Sequence, residues 1–82
     1  MKQQITSTDQ VGAILKAART SAGIKQEDLS LATGRSVKLI SQIENGKAFG
    51  SLKGFLDLMQ AAGAKVLVEF PGPRHANEDE AK

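Results

Sequence analysis

The stretch that decides the fold is residues 26–46, QEDLSLATGRSVKLISQIENG, which reads as two short helices joined by a sharp turn. Gly34 is the pivot: without a Cβ its backbone takes the left-handed conformation that ends one helix and redirects the chain. Before it, Leu29, Ser30 and Thr33 form an inward face with a small residue where a second helix must come close. After it, Ser36 is a natural N-cap, its hydroxyl placed to accept from an amide about three residues on. Ile40 and Ile43 then share one face, leaving Val37, Lys38, Ser41 and Gln42 on the other. Short or flexible side chains of that kind on an exposed helix can reach base edges in a major groove. The pattern is that of a helix-turn-helix whose second helix is the reader.

Toward the N-terminus, Val11, Ile14, Leu15, Ala18 and Ala22 keep helical spacing, with Lys16, Arg19 and Thr20 on the other side. Ser7 or Thr8 caps this helix, Gln10 stands where a capping box needs it, Asp9 suits the positive end of the dipole, and Gly23 closes the far end. Ile24 then tucks into the core. Toward the C-terminus, Asn45 and Gly46 turn the chain and Phe49 anchors a short loop. Ser51 caps a fourth helix with an apolar stripe of Leu52, Phe55, Leu56, Met59 and Ala62, and Gly63 stops it. Gly12 and Gly54 lie inside helices, where each costs about 1 kcal/mol relative to Ala, so both read as points of close packing.

Residues 65–70, KVLVEF, change period: Val66, Val68 and Phe70 alternate with Lys65, Leu67 and Glu69, as in a β-strand. A lone strand leaves unpaired backbone groups, and the simplest partner is the same strand of a second copy in two-fold antiparallel pairing. The other reading is a short extended segment packed on its own helices. Pro71-Gly72-Pro73 then breaks all regular structure. The organisation expected is a flexible arm over 1–7, a helix-turn-helix DNA-binding and dimerisation domain over 8–70, and a disordered acidic tail over 71–82.

A chain of 82 residues is one domain with one core. It has no cysteine, no apolar run of the roughly 20 residues a membrane helix needs, and no signal-peptide core in MKQQITSTDQ, so a soluble, intracellular protein is expected. The net charge is only +2, but ten of the eleven Lys and Arg residues precede His75, while Glu78, Asp79 and Glu80 crowd the tail. The body is therefore basic, and a dimer of such bodies would offer DNA a positive face. Ordinary solvated lysines are the alternative reading of the same charges. No enzyme, cofactor or metal site is expected: His75 is the sole histidine and stands in the tail, the serines lack a nearby base, and no carboxylate cluster converges with a glycine-rich phosphate loop.

Arg19 with Gly23, Lys25-Gln26, Leu29, Gly34, Ser36, Ile40-Ser41 and residues 43–47, IENGK, together resemble the Cro/C1-type (xenobiotic response element) helix-turn-helix family over residues 11–70. The fourth helix followed at once by KVLVEF is similar, more narrowly, to HipB-like antitoxins, the DNA-binding partners of HipA-like kinase toxins. The resemblance implies a mainly α, lambda repressor-like fold: a compact four-helix bundle containing the helix-turn-helix, plus one C-terminal β-strand pairing across a homodimer through Lys65, Val66, Leu67, Val68, Glu69 and Phe70. It implies two reader helices in successive major grooves of palindromic double-stranded operator DNA, with Val37, Lys38, Ser41 and Gln42 facing bases and Gln26, Ser36, Asn45 and Lys47 contacting the phosphate backbone. Gln26 would also brace the reader helix, though it could instead merely cap its own. Two positions depart from the family pattern. Arg35 replaces an apolar or small residue and adds a phosphate contact or is simply solvated; Leu39 replaces Ser or Thr and packs inward or touches a thymine methyl. Leu31 either packs under the first helix, the reading favoured here, or belongs to a partner surface.

The function these features imply is a sequence-specific transcriptional repressor acting as the antitoxin of a type II toxin-antitoxin system. It would neutralise a HipA-like Ser/Thr kinase and autoregulate the operon from the cytoplasm, nucleoid-associated when DNA-bound. The toxin comes from the resemblance alone. Two other readings are a protein-interaction module that uses the helix-turn-helix as a scaffold, and a solitary phage-type regulator without a toxin.

Overall fold

The computed structural model describes residues 3–48 and 50–72. Met1, Lys2, Phe49 and residues 73–82 lie outside them, and with these the anchoring role expected of Phe49, the acidic tail, Arg74 and His75. The described residues form α1 (Asp9–Ser21), α2 (Gln26–Thr33), α3 (Val37–Glu44) and α4 (Leu52–Ala61). Both α1 and α2 pack on α3 and on α4. Among the described residues no helix is long and apolar enough to cross a membrane.

Local sequence sets the helix ends. Thr8 occupies the cap position of α1 without a capping bond from its side chain. Gln10 reaches back to the residues before the helix: its Oε1 accepts from the backbone N–H of Thr6 at 2.6 Å and of Ser7 at 3.0 Å, and its Nε2 donates to the Gln4 carbonyl at 3.3 Å. The glutamine half of the expected capping box is therefore present, and it gathers the chain before the helix. Gly34 ends α2 at φ +75°, with its N–H donating to the Ser30 carbonyl at 2.9 Å. Ser36 and Ser51 cap α3 and α4 as expected, accepting from the amides of Leu39 at 3.0 Å and Gly54 at 2.9 Å.

The core gathers Val11 and Leu15 from α1, Leu29 from α2, Ile40 and Ile43 from α3, and Phe55, Leu58, Met59 with Ala62 from the end of α4. Each fully buried Leu or Ile among them contributes about 1.5–3 kcal/mol by leaving water. Ile24 and Leu39 pack against the edge of this cluster, so Leu39 takes the inward of its two readings.

Several expectations need correction. Leu58 is fully buried whereas Leu52 and Leu56 are exposed; the buried face of α4 runs through 55, 58, 59 and 62, so Phe55, Met59 and Ala62 of the expected stripe stand, and packing on α2 and α1 turns Leu58 rather than Leu52 and Leu56 inward. Leu31, expected under α1, is 86% exposed on the outer side of α2. Ala22 is exposed, and Arg19, assigned to the polar side of α1, is buried. Within the single chain the strand expected over residues 65–70 is not found: no described residue is in a strand, and Val66, Leu67, Val68 and Phe70 are exposed, as are Lys65 and Glu69. Alternation is local, but a ladder needs a second strand beside it, and every other described regular element of this chain is a helix.

Candidate nucleic-acid interface

Helix α3 sorts its side chains by depth. Ile40, Ile43 and Glu44 are buried, while Val37 and Lys38 are exposed and Ser41 and Gln42 half-buried. Positions 37, 38, 41, 42 and 45 make one contiguous strip on the opposite face, as 3.6-residue periodicity requires. The structure thus brings together on one outward face the four side chains picked out as base-facing, with Asn45 at its end. Asn45 Nδ2 donates to Ser41 Oγ at 3.3 Å, so these two are linked along the strip. Lys47 follows α3 with its side chain exposed, its own N–H closing the helix end on the Gln42 carbonyl at 2.8 Å.

The start of α3 rests on Ser36. Its hydroxyl satisfies an otherwise orphan amide of the first turn, so Ser36→Ala is expected to cost about 1 kcal/mol of stability, checked by chemical denaturation. Gln26 opens α2 but does not cap it. Asp28 accepts from the Lys25 backbone N–H at 2.9 Å instead, while Gln26 Nε2 donates to Glu44 Oε1 at 3.0 Å. The first α2 amides, which have no intrahelical acceptor, stay beside Gln26 at the positive end of the helix dipole. Lys25, Gln26, Glu27 and Val37 line a shallow depression there, floored by Arg19.

Beneath the interface sits a polar network that the sequence reading missed. Arg19 Nε donates to Glu44 Oε2 at 2.7 Å, its second amine to Glu44 Oε1 at 3.0 Å, and its first amine to the Ile24 carbonyl at 2.9 Å. The side chains are 11% and 2% exposed. The helical period could have found Arg19, four residues after the fully buried Leu15 on α1. Burial alone would push the Glu44 carboxyl up; hydrogen bonds from Arg19 and Gln26, with the charges of Arg19 and Lys16, overcome it and hold the group below the ordinary carboxylate range. The Arg19 guanidinium is held still more firmly charged, chiefly by its hydrogen bonds to Glu44. Arg19 is neutralised inside the fold and adds nothing to the basic surface.

Arg35, the other arginine near α3, is also engaged. One amine donates to the Thr33 carbonyl at 3.0 Å, and the other forms an ion pair with Asp57 Oδ2 at 3.0 Å. Asp57 accepts from Lys53 Nζ at 3.0 Å as well. Its carboxyl is held below the usual range, first by the Lys53 hydrogen bond and further by the charges of Lys53 and Arg35. Among the described residues no group of His, Cys, Asp or Glu side chains is placed to hold a metal ion.

A family model described as helix-turn-helix matches residues 15–48, from the middle of α1 to just past α3. The chain is also 24% identical over 74 residues to a protein of Sinorhizobium fredii described as the uncharacterized HTH-type transcriptional regulator y4mF, an overlap of 90% of this chain and 97% of that one. Residues 15–48 are therefore similar to a helix-turn-helix, and they lie within a mainly helical fold whose described residues form four helices.

Proposed function

We propose that this chain is a sequence-specific DNA-binding transcriptional repressor that reads double-stranded operator DNA with α3. The observation that carries this reading is the outward strip of Val37, Lys38, Ser41 and Gln42 on a helix whose other face is fixed by Ile40, Ile43 and Glu44. Such a helix enters the major groove with its outer side chains toward base edges. Gln26, Ser36, Asn45 and Lys47 flank the strip and serve as phosphate contacts, Gln26 with the help of the α2 N-terminus. Similarity to a protein described as an HTH-type transcriptional regulator supports the same class.

The DNA is palindromic and the reader a homodimer in this proposal. A single α3 spans few base pairs, and two set about 34–36 Å apart read successive turns of one groove. Residues 65–70 are the dimerising segment: Val66, Leu67, Val68 and Phe70 are exposed along an alternating run, and antiparallel pairing with a second copy would supply the missing ladder. The resemblance to HipB-like antitoxins adds a HipA-like kinase as protein partner and autoregulation of the shared operon as outcome. Leu31, Leu52 and Leu56 are the exposed apolar side chains that such a partner could cover. They equally favour the interaction-module reading, which a DNA test separates.

That test is a mobility shift and duplex selection with the full chain. Ser41→Ala with Gln42→Ala is expected to relax preference at individual base pairs, by roughly 1–3 kcal/mol for each bidentate hydrogen-bond pair removed. Lys47→Ala is expected to weaken binding to all sequences and lower the slope of log K against log salt by about 0.9. A double variant selecting the same duplexes as the wild type with the same discrimination would refute the assignment of α3. Failure of the chain to co-purify with a kinase encoded beside it would remove the antitoxin claim and leave the DNA reading standing.

A further inference from the structure

Arg35 directly precedes the Ser36 cap of α3, at the end of the reader that approaches base edges most closely in this kind of motif. Its side chain runs back across α4 rather than out along α3. One amine donates to the Thr33 carbonyl, the other pairs with Asp57 Oδ2 as an ion pair, and the side chain is three-quarters covered. The path crosses Gly54. A Cβ there would stand 3.1 Å from Arg35 Nε and 3.4 Å from its amine, so the glycine inside α4 opens the lane in which the guanidinium lies. Lys53, one turn before Asp57, holds the same carboxylate oxygen from the solvent side and keeps it turned toward Arg35.

The opposite end of α3 is tied in the same manner. Glu44, its last residue, is bound to Arg19 of α1 and Gln26 of α2. Helix α3 is thus tied at both ends, by a buried two-point Arg19–Glu44 pair to α1 and, just before its cap, by the single Arg35–Asp57 ion pair to α4. A helix held at two ends keeps its rotation and tilt, which decide which side chains meet which base pairs.

Resting on the DNA-reading function proposed above, we infer that Arg35 is a positioning residue: it ties the N-terminal end of α3 to α4 through Asp57, across the lane left by Gly54, and does not contact the DNA backbone. A phosphate contact would require the guanidinium to give up Asp57 and turn away from α4, exchanging one anion for another. The planar fork matters more than the charge, because a lysine cannot reach the Thr33 carbonyl and Asp57 together.

The experiment uses the full chain and a labelled duplex selected by the wild-type protein from a random pool. Arg35→Ala, Arg35→Lys and Asp57→Asn are each expected to weaken binding by about tenfold. The salt slope should stay at the wild-type value, and Arg35→Ala combined with Asp57→Asn should bind no worse than either alone. Rescue by Arg35→Lys, tighter binding by Asp57→Asn, or a salt slope reduced by about 0.9 in Arg35→Ala would each overturn the inference and make Arg35 a phosphate contact. Amide exchange in the free protein judges the tie without DNA: the Leu39 and Ile40 amides should exchange faster in Arg35→Ala and Asp57→Asn, and unchanged rates would overturn it. Selection of no duplex by the wild type would refute the DNA reading itself, leaving the exchange result to decide whether the tie exists.

Discussion

Glu44→Ala is expected to cost about 3–5 kcal/mol, a large part of the stability of the fold. The Glu44 carboxylate accepts from Arg19 at both oxygens and from Gln26 at one, with its side chain 2% exposed. Removing it leaves the Arg19 guanidinium charged, buried and supported only by the Ile24 carbonyl. Stranding a charge costs far more than the net worth of the intact pair, because desolvation is no longer offset. At about 0.05–0.15 kcal/mol per residue, a chain of 82 residues holds roughly 4–12 kcal/mol in all. The melting temperature should fall by about 4–8 °C for each kcal/mol lost, read by thermal and urea denaturation. Arg19→Met with Glu44→Leu removes both charges and should recover much of the loss. A cost under about 1 kcal/mol for Glu44→Ala would mean that the pair behaves as a solvent-exposed one.

The same carboxylate sets an acid limit. Because its pKa is lower in the folded chain, the unfolded chain binds more protons as pH falls below the ordinary glutamate value of about 4.3. The contribution of Glu44 is fully present above that value and is lost as pH drops through the folded pKa. Asp57 is shifted in the same direction, so it acts with the same sign. Melts from neutral pH down to acid should therefore show stability falling in that window, and Glu44→Gln should flatten the fall. Loss of the network also frees the C-terminal end of α3, so acid is expected to weaken operator reading before it unfolds the core.

What was legible beforehand was what short segments decide. The Gly34 turn and the Ser36 and Ser51 caps each depend on bonds spanning three or four residues, and the sequence carries both partners of each within one window. The outward strip on α3 was legible for the same reason. Arg19 was not, because its charge argued for solvent while its partner stands 25 residues away. Leu58 and Leu56 could not be ranked by period, since either completes a stripe and only the packing of α4 chooses. The alternation of residues 65–70 was legible as a pattern, but a pattern cannot provide the neighbouring strand that would make it a ladder. Arg35 departs from the family pattern it otherwise resembles, and its destination on α4 depends on a glycine whose purpose shows only in three dimensions.

Gly12 is the second position where a small change should have a large effect, and its cause is backbone against backbone. An added Cβ would collide with the Ile43 carbonyl oxygen and stand 2.9 Å from that of Glu44. Neither can swing aside as a side chain would, because both belong to the last turn of α3, which is held by Arg19 and Gln26. In an exposed helix Gly→Ala would gain about 1 kcal/mol of helix propensity. Here the gain is outweighed by overpacking, typically about 1–3 kcal/mol and more where no rotamer can relieve it. Gly12→Ala is therefore expected to destabilise the chain by roughly 2 kcal/mol or more, while Gly54→Ala, which meets side-chain atoms alone, the Arg35 guanidinium and the Ser51 hydroxyl that caps α4, should lose less. Urea denaturation of the two variants side by side makes the comparison. Where Gly12→Ala still folds, the clash can be relieved only by sliding α3 away from α1, which carries Ser41, Gln42 and Asn45 with it. Weakened duplex discrimination in a folded Gly12→Ala chain would tie the close approach of two backbones to the reading of DNA. Wild-type stability in that variant would show that α1 and α3 are not pressed together at this point.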